Sequence, residues 1–142
     1  MSNAVDQARI RRSFAKQTMM ETLGAELSRI ESGLVVIEAP ILPSVRQQHG
    51  AGHAGLAFTL GDSAAGYAAL TMLPEDNEVM TAEFKINLLA PAMGVRVIAS
   101  GRVVKPGRRL IVVTAEVHVR AEDGGMRQIA LLQGTMVPIP AG

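Results

Sequence analysis

The feature that most constrains this chain is a long central run of apolar and small residues. Between Ala54 and Leu73 the run has no proline and a single charged residue, Asp62. Its length would suit a membrane span, but a carboxylate near its centre would be costly in lipid. The run instead predicts a buried helix at about residues 53–73, apolar on nearly all sides and covered by the rest of the fold. We expect no membrane association.

The flanking segments predict what covers this helix. Residues Asp6 to Leu23 form an amphipathic pattern that predicts a helix over about 6–23, ended by Gly24. A β-hairpin at 25–31 and 34–41 should follow, and four further strands are predicted at 79–89, 95–105, 110–121 and 126–139. In the first of these four, Met80, Phe84 and Ile86 should share one face with Ala82 and Leu88. Short turns between strands indicate antiparallel pairing, hence a single α+β domain over 1–142 with the helix against one sheet.

The composition excludes several classes of protein. The chain has 14 Lys and Arg against 13 Asp and Glu, and aromatic residues make up 3%. We therefore expect no nucleic-acid partner, since neither a basic surface nor a base-stacking surface is indicated. The absence of cysteine excludes disulfides and thiol nucleophiles. No apolar segment follows the basic residues near the N-terminus, so a secretory signal is not expected and a cytoplasmic location is.

Asp62 is the anomaly of the central helix. A buried carboxylate needs a partner, which could be an Arg or backbone amides from elsewhere, or it is kept partly desolvated as a general base or nucleophile. We favour the catalytic interpretation. His53 is the natural partner, but nine helical residues separate the two by about 13.5 Å and two and a half turns, which puts them on opposite faces. They can act on one substrate only if two copies of the helix lie side by side in a dimer.

The loop before the helix offers backbone N–H groups near a helix N-terminus, where an oxyanion is stabilised. Gly50, Gly52 and Gly55 also match a G-x-G-x-x-G pattern, but no β-α-β order surrounds them, so dinucleotide binding is not expected. His49 and His53 are four residues apart and lack a third ligand. We therefore predict neither a metal site nor a cofactor.

Four segments resemble a known family. They are QQHGAGHAGL (47–56), LGDSAAGYAA (60–69), TAEFKINLLAPA (81–92) and GRVVKPGRRL (101–110). Together they are similar to the phenylacetyl-CoA thioesterase (PaaI-type) branch of the hotdog-fold acyl-CoA thioesterases. That family has a His-Gly-Gly at the start of its central helix and an Asp nine residues after the His. Here these positions are His53-Ala54-Gly55 and Asp62.

The resemblance implies a hotdog fold, in which an antiparallel sheet wraps around the central helix. It also implies a homodimer with a continuous sheet, or a dimer of such dimers. Asp62 would attack an acyl-CoA thioester or activate water, and Thr81 would orient that water. The amide of Ala54, beside Gly55, would hold the oxyanion with support from His53. Gln47 stands where the family commonly has Asn, and either Gln47 or Gln48 could take that role.

The substrate prediction is less specific. The main hypothesis is hydrolysis of an acyl-CoA, with CoA as part of the substrate and Lys105, Arg108 and Arg109 binding its phosphates; a solvated basic turn is the alternative. A hotdog hydratase or dehydratase, and a non-catalytic acyl-CoA-binding protein, are the competing functions. For the acyl group we expect an aliphatic pocket lined in part by Phe14, Met19, Met20 and Met72, with no polar residue to select it.

Overall fold

A computed structural model describes residues 5–141. Three α-helices are present over this range: α1 (Gln7–Ala15), α2 (Thr18–Leu23) and α3 (Ala54–Leu70), with a short 3-10 helix at Pro43–Val45. The strands are β1 (Glu26–Glu31), β2 (Leu34–Pro40), β3 (Asn77–Leu88), β4 (Arg96–Lys105), β5 (Ile111–Arg120) and β6 (Met126–Pro140). The predicted order of two strands, a long helix and four strands is confirmed.

All six strands form one antiparallel sheet in the order β1-β2-β4-β5-β6-β3. The hairpin of β1 and β2 therefore joins one side of β4, while β3 returns to the far edge and pairs with β6 alone. Consecutive strands β4, β5 and β6 are neighbours, as short turns predict. The sheet consequently has β1 at one edge and the long strand β3 at the other.

Helix α3 packs against the sheet and fills its inner face. Ten of its 17 residues are buried, as the continuous apolar pattern predicted. The closest approach is at Gly101 of β4, where an added Cβ would lie 2.2 Å from the carbonyl carbon of Ala64. The alternate residues of β5 from Ile111 to Val119 are buried against the same helix. The core is thus aliphatic and centred on α3.

The N-terminal helix predicted over 6–23 is instead two helices. Lys16 ends α1, and Gln17 has an extended backbone with φ −82° and ψ 94°. The side chain of Gln17 turns inward and donates a 2.7 Å hydrogen bond to the Tyr67 hydroxyl, a tertiary contact that replaces helix continuation. Gly24 ends α2 in the left-handed conformation, with φ 67°, as predicted.

Strand β3 differs from its predicted alternation because of a β-bulge. Its register with β6 shifts between Thr81 and Glu83. A bulge reverses the facing of side chains on either side of it. Phe84 and Ile86 face the core as predicted, whereas Met80 is 57% exposed and its neighbour Thr81 faces the helix. The prediction for Met80 was wrong, and Ala82 and Leu88 of the same predicted face are also exposed.

No helix between residues 5 and 141 is long and apolar enough to cross a membrane.

Candidate active site

Asp62 lies half-buried in the middle of α3 and faces strand β3. The Thr81 hydroxyl donates a 2.6 Å hydrogen bond to its Oδ1 atom. Burial raises the pKa of the Asp62 carboxyl, and the hydrogen bond from Thr81 partly opposes that rise. No Lys or Arg between residues 5 and 141 forms an ion pair with it. The alternative of an ion pair with Arg is therefore not observed, and one hydroxyl holds the carboxylate.

The bulge in β3 explains how Thr81 reaches this carboxylate. Thr81 pairs with Met136 of β6, immediately before the register shift. Its hydroxyl lies 3.4 Å from the Met136 sulfur, which is a weak acceptor, so the hydroxyl proton is directed to Asp62. The oxygen of Thr81 keeps lone pairs that can accept a hydrogen bond from water. Asp62 and Thr81, which the family resemblance assigns to the same water molecule, are thus in direct contact.

A cleft of about 220 Å³ opens beside Asp62, between α1, α3, β3 and β6. We refer to it as the Asp62 cleft. Its lining includes Gly66, Leu70, Val79 and Met136, together with the polar residues Ser13, Gln17, Ser63, Tyr67 and Glu78. This differs from the predicted aliphatic pocket. Met20 is buried in the core, Met19 and Met72 are exposed, and neither these nor Phe14 lines the cleft.

The polar wall of the Asp62 cleft centres on Tyr67. Its hydroxyl accepts a hydrogen bond from Gln17 Nε2 and lies 3.1 Å from the Ser13 hydroxyl. These residues were not among the predicted site residues, although one signal in the sequence points to them. Tyr67 is the only tyrosine of the chain and lies in an otherwise apolar helix, where its hydroxyl would need a polar partner from another element.

A second, larger cleft of about 520 Å³ lies at the N-terminus of α3. We refer to it as the helix-start cleft. Gln47, Gln48, His53 and Ala54 all line it, opposite the segment 88–92. Its lining shares no residue with that of the Asp62 cleft. One chain therefore carries the predicted residues in two separate groups, as the helical spacing of His53 and Asp62 required.

His53 is the N-cap of α3 and uses one of the amides predicted for the oxyanion. Its Nδ1 atom accepts a 2.8 Å hydrogen bond from the Gly55 N–H. The His53 carbonyl accepts from Leu56, which takes a third amide of the first turn. Within residues 5–141 the Ala54 N–H has no hydrogen-bond partner, and Ala54 is exposed to the cleft. Because the Gly55 and Leu56 amides are already used, the Ala54 amide is the one left in the first turn to bind an anionic oxygen.

The two glutamines differ in how they are held. Gln47 is half-buried, and its Oε1 accepts a 2.5 Å hydrogen bond from the His49 N–H, which leaves its Nε2 available to donate. Gln48 is exposed, and no hydrogen bond within residues 5–141 fixes its side chain. Gln47 is therefore the better-oriented donor in the helix-start cleft.

The basic residues Lys105, Arg108 and Arg109 lie at the exposed turn between β4 and β5. Neither cleft includes them in its lining. Among residues 5–141, no three side chains of the metal-binding types form a group that could hold a metal ion.

Comparison with known proteins identifies the family. The thioesterase superfamily pattern matches residues 49–125, which is more than half of the chain. This range includes α3, the helix that lines both clefts. The chain belongs to the thioesterase superfamily. It is a thioester hydrolase with the hotdog arrangement of a helix against an antiparallel sheet, as the resemblance implied.

Individual relatives agree with this assignment. A thioesterase family protein from Silicibacter pomeroyi is 42% identical, with a TM-score of 0.90 over 93% of this chain and 96% of that one. A 1,4-dihydroxy-2-naphthoyl-CoA hydrolase from Listeria monocytogenes is 28% identical over 63% of this chain and 73% of its own length. The PaaI protein of E. coli is 19% identical and shares the fold, with a TM-score of 0.80 over 92% of this chain and 91% of that one.

Proposed function

We propose that this thioesterase hydrolyses acyl-CoA at a site shared between two copies of the chain, with Asp62 as its catalytic carboxylate. The observation that carries the proposal is the half-buried Asp62, whose pKa is raised by burial and whose Oδ1 is fixed by Thr81. A carboxyl with a perturbed pKa in a cleft is typical of a catalytic base or nucleophile. The Listeria relative, named as a CoA hydrolase, supports the substrate class.

The shared site follows from the separation of the two clefts. An acyl carbonyl held by the Ala54 N–H lies about 12 Å along α3 from Asp62 of the same chain, in a cleft that shares no lining residue with the Asp62 cleft. Asp62 of the partner subunit could reach it if two α3 helices lay side by side around a two-fold axis. Such an isologous contact creates two equivalent sites. Each would combine Asp62 and Thr81 of one subunit with His53, Ala54 and Gln47 of the other.

Strand β3 is the edge that supports such pairing. It is 12 residues long and pairs on one side with β6. A long edge strand with exposed apolar side chains favours association with another strand. Met80 at its start is 57% exposed, and Leu88 and Leu89 at its end are 59% and 55% exposed. An antiparallel partner across β3 would extend the sheet and cover these side chains.

The reaction at this site would proceed by one of two routes. In the first, Asp62 takes a proton from a water molecule, whose oxygen attacks the thioester carbon. In the second, a carboxylate oxygen of Asp62 attacks, and water later hydrolyses the resulting anhydride. In both, the carbonyl π electrons move to the oxygen held by the Ala54 N–H, and the C–S bond then breaks, releasing the CoA thiolate, which is protonated. The polar Nε2 of Gln47 would assist the same oxygen.

The first experiment measures thiol release from a panel of acyl-CoAs. Asp62→Asn preserves size and the acceptor for Thr81 but removes the base or nucleophile, so kcat should fall on the order of 10²-fold. A variant within a few-fold of wild type would make Asp62 structural. In a single turnover in H₂¹⁸O, ¹⁸O in the Asp62 carboxylate would identify the anhydride route with water attack at the Asp62 carbonyl, because the general-base route places ¹⁸O only in the released acid.

A mixing experiment tests the shared site. Asp62→Asn and the double variant Gln47→Ala/His53→Ala each inactivate a different half of the site. In a heterodimer one site carries both lesions and the other carries none. Random refolding makes about half of the dimers mixed, so about a quarter of wild-type activity should return. Heterodimers verified by mass spectrometry but as inactive as the parents would refute a shared site.

The basic turn is proposed to bind the CoA phosphates. Lys105, Arg108 and Arg109 are exposed at one turn and form no ion pair with a described residue. Arginine and lysine bind phosphate through charge-assisted hydrogen bonds. Arg108→Gln/Arg109→Gln should raise KM for acyl-CoA and leave the hydrolysis of the matching acyl-pantetheine, which lacks the nucleotide, unchanged. An unchanged KM for acyl-CoA would make this a solvated turn.

A further inference from the structure

Helix α3 has two glycines in its interior, Gly61 and Gly66, beyond the one in its first turn. A glycine in a helix interior costs about 1 kcal/mol relative to alanine. In a helix at the centre of the core, such a residue usually reflects a need for space. The two glycines differ in whether packing against the sheet requires that space.

Gly61 is explained by packing. An added Cβ there would lie 3.0 and 3.1 Å from the two terminal carbons of Leu132 on β6. Both the helix residue and Leu132 are buried, so the Leu132 side chain would have to shift by a few tenths of an ångström within a closely packed core. Alanine at this position would therefore disturb the core.

Gly66 has no such packing requirement. An added Cβ there would lie 3.7 Å from Met136 Cε and 3.9 Å from its sulfur, which is ordinary van der Waals contact. The fold can therefore accommodate alanine, which is the better helix former. The nearest atoms belong to the flexible end of a methionine side chain. Packing and backbone geometry leave the glycine at this position unexplained.

The position of Gly66 supplies the explanation. It lies four residues after Asp62, one turn along the same helix face. Both Gly66 and Met136 line the Asp62 cleft. A Cβ at Gly66 would lie against Met136, on the wall of that cleft and one turn along the helix from the Asp62 carboxylate. The glycine therefore leaves this part of the cleft open.

The size of the cleft indicates which part of the substrate uses this space. A cavity of about 150 Å³ binds benzene, so the cleft of about 220 Å³ accommodates a six-membered ring or a short branched chain. The CoA part of the substrate is several times larger and must extend to solvent. The smaller acyl group is the part that fits.

We infer that Gly66 is a specificity-determining residue that admits bulky acyl groups beside Asp62. The inference depends on the proposed function and adds which residue selects the acyl group. A side chain at this position narrows the cleft without touching the carboxylate. Substrates with a bulky acyl group are then excluded, and substrates with a small one are still hydrolysed.

The test compares wild type, Gly66→Ala and Gly66→Val on phenylacetyl-CoA and acetyl-CoA. A change of one carbon in a pocket alters selectivity by about tenfold or more. For Gly66→Ala, kcat/KM for phenylacetyl-CoA should fall about tenfold while the value for acetyl-CoA stays within twofold. Gly66→Val should widen the difference. At the same time Gly66→Ala should raise Tm, because the helix gains a better helix former.

Gly61→Ala is the matched control. It changes the neighbouring glycine on the sheet side, so it should lower Tm and leave the ratio of the two kcat/KM values unchanged. Equal losses on both substrates, or a lower Tm, for Gly66→Ala would overturn the inference. A wild-type protein that hydrolyses no acyl-CoA would overturn the proposed function itself, and that result appears before any variant is measured.

Discussion

The hydrogen bond between Thr81 and Asp62 should set the acid limb of the pH–rate profile. In the proposed mechanism Asp62 acts in its ionised form, whether as base or nucleophile, so activity should fall as pH drops through its pKa. Burial raises that pKa and the Thr81 hydrogen bond lowers it. Thr81→Val removes the hydroxyl, keeps the branched shape that suits a strand, and so should raise the pKa of Asp62 further.

The expected size follows from the contact. A hydrogen bond to a charged group contributes about 1.5–3 kcal/mol. Thr81 is exposed and the Oδ1 contact is 2.6 Å long, so solvent reduces the value to the lower end of that range. About 1.4 kcal/mol corresponds to a tenfold change in an equilibrium constant. On the acid limb, kcat/KM of Thr81→Val should therefore be about tenfold below wild type at the same pH.

The assay is kcat/KM for one acyl-CoA measured across the pH range by thiol release. At high pH the two proteins should converge, because Asp62 is ionised in both. Thr81→Ser keeps the hydroxyl and should retain the wild-type limb. If Thr81→Val lowers kcat/KM by the same factor at every pH, Thr81 acts by positioning water and the electrostatic reasoning is wrong.

Three further predictions concern the charge of Asp62, the packing of Gly101 and the need for a metal ion. Asp62→Asn should raise Tm at neutral pH, because a carboxyl whose pKa is raised in the folded state destabilises the fold once it is ionised. This gain in Tm should shrink as the pH falls to the ordinary range of Asp pKa values. A gain in Tm that is the same at every pH would contradict this explanation. Gly101→Ala should lower the free energy of unfolding by about 3 kcal/mol or more by denaturant titration, because its Cβ would overlap the Ala64 backbone. Hydrolysis should persist in EDTA; loss of activity that a divalent ion restores would refute a metal-free mechanism.

The sequence predicted those parts of the fold that periodicity alone determines. The hairpin, the central helix and the order of the last four strands are confirmed, because long alternating or continuous apolar runs identify them. The break at Gln17 and the bulge after Thr81 were not predicted. Both depend on tertiary contacts, with the Tyr67 hydroxyl in one case and with Met136 and the Asp62 carboxylate in the other. The pattern of residues along the chain does not reveal such tertiary contacts.

The candidate site shows the same division. Asp62 could be selected because one charge in an apolar helix is conspicuous, and Thr81 because the family resemblance placed it. The polar wall of Ser13, Gln17 and Tyr67 was not predicted, because Ser13 and Gln17 lie 50 or more residues from Tyr67 along the chain. The amide that is left to bind an oxyanion could also be identified only from the structure. The Gly55 N–H donates to His53, whereas the Ala54 N–H does not.

Helix α3 combines two requirements that oppose each other. As the centre of the core it should consist of good helix formers without charge, and most of its residues satisfy this. Asp62 and Gly66 do not: the carboxylate is desolvated, and the glycine has room for a Cβ that would stabilise the helix. Both residues lie on one face, one turn apart, and both line one cleft. Each of these two residues lowers the stability of the helix. Selection for packing alone would replace both of them, so their presence one turn apart beside the same cleft indicates a site for chemistry.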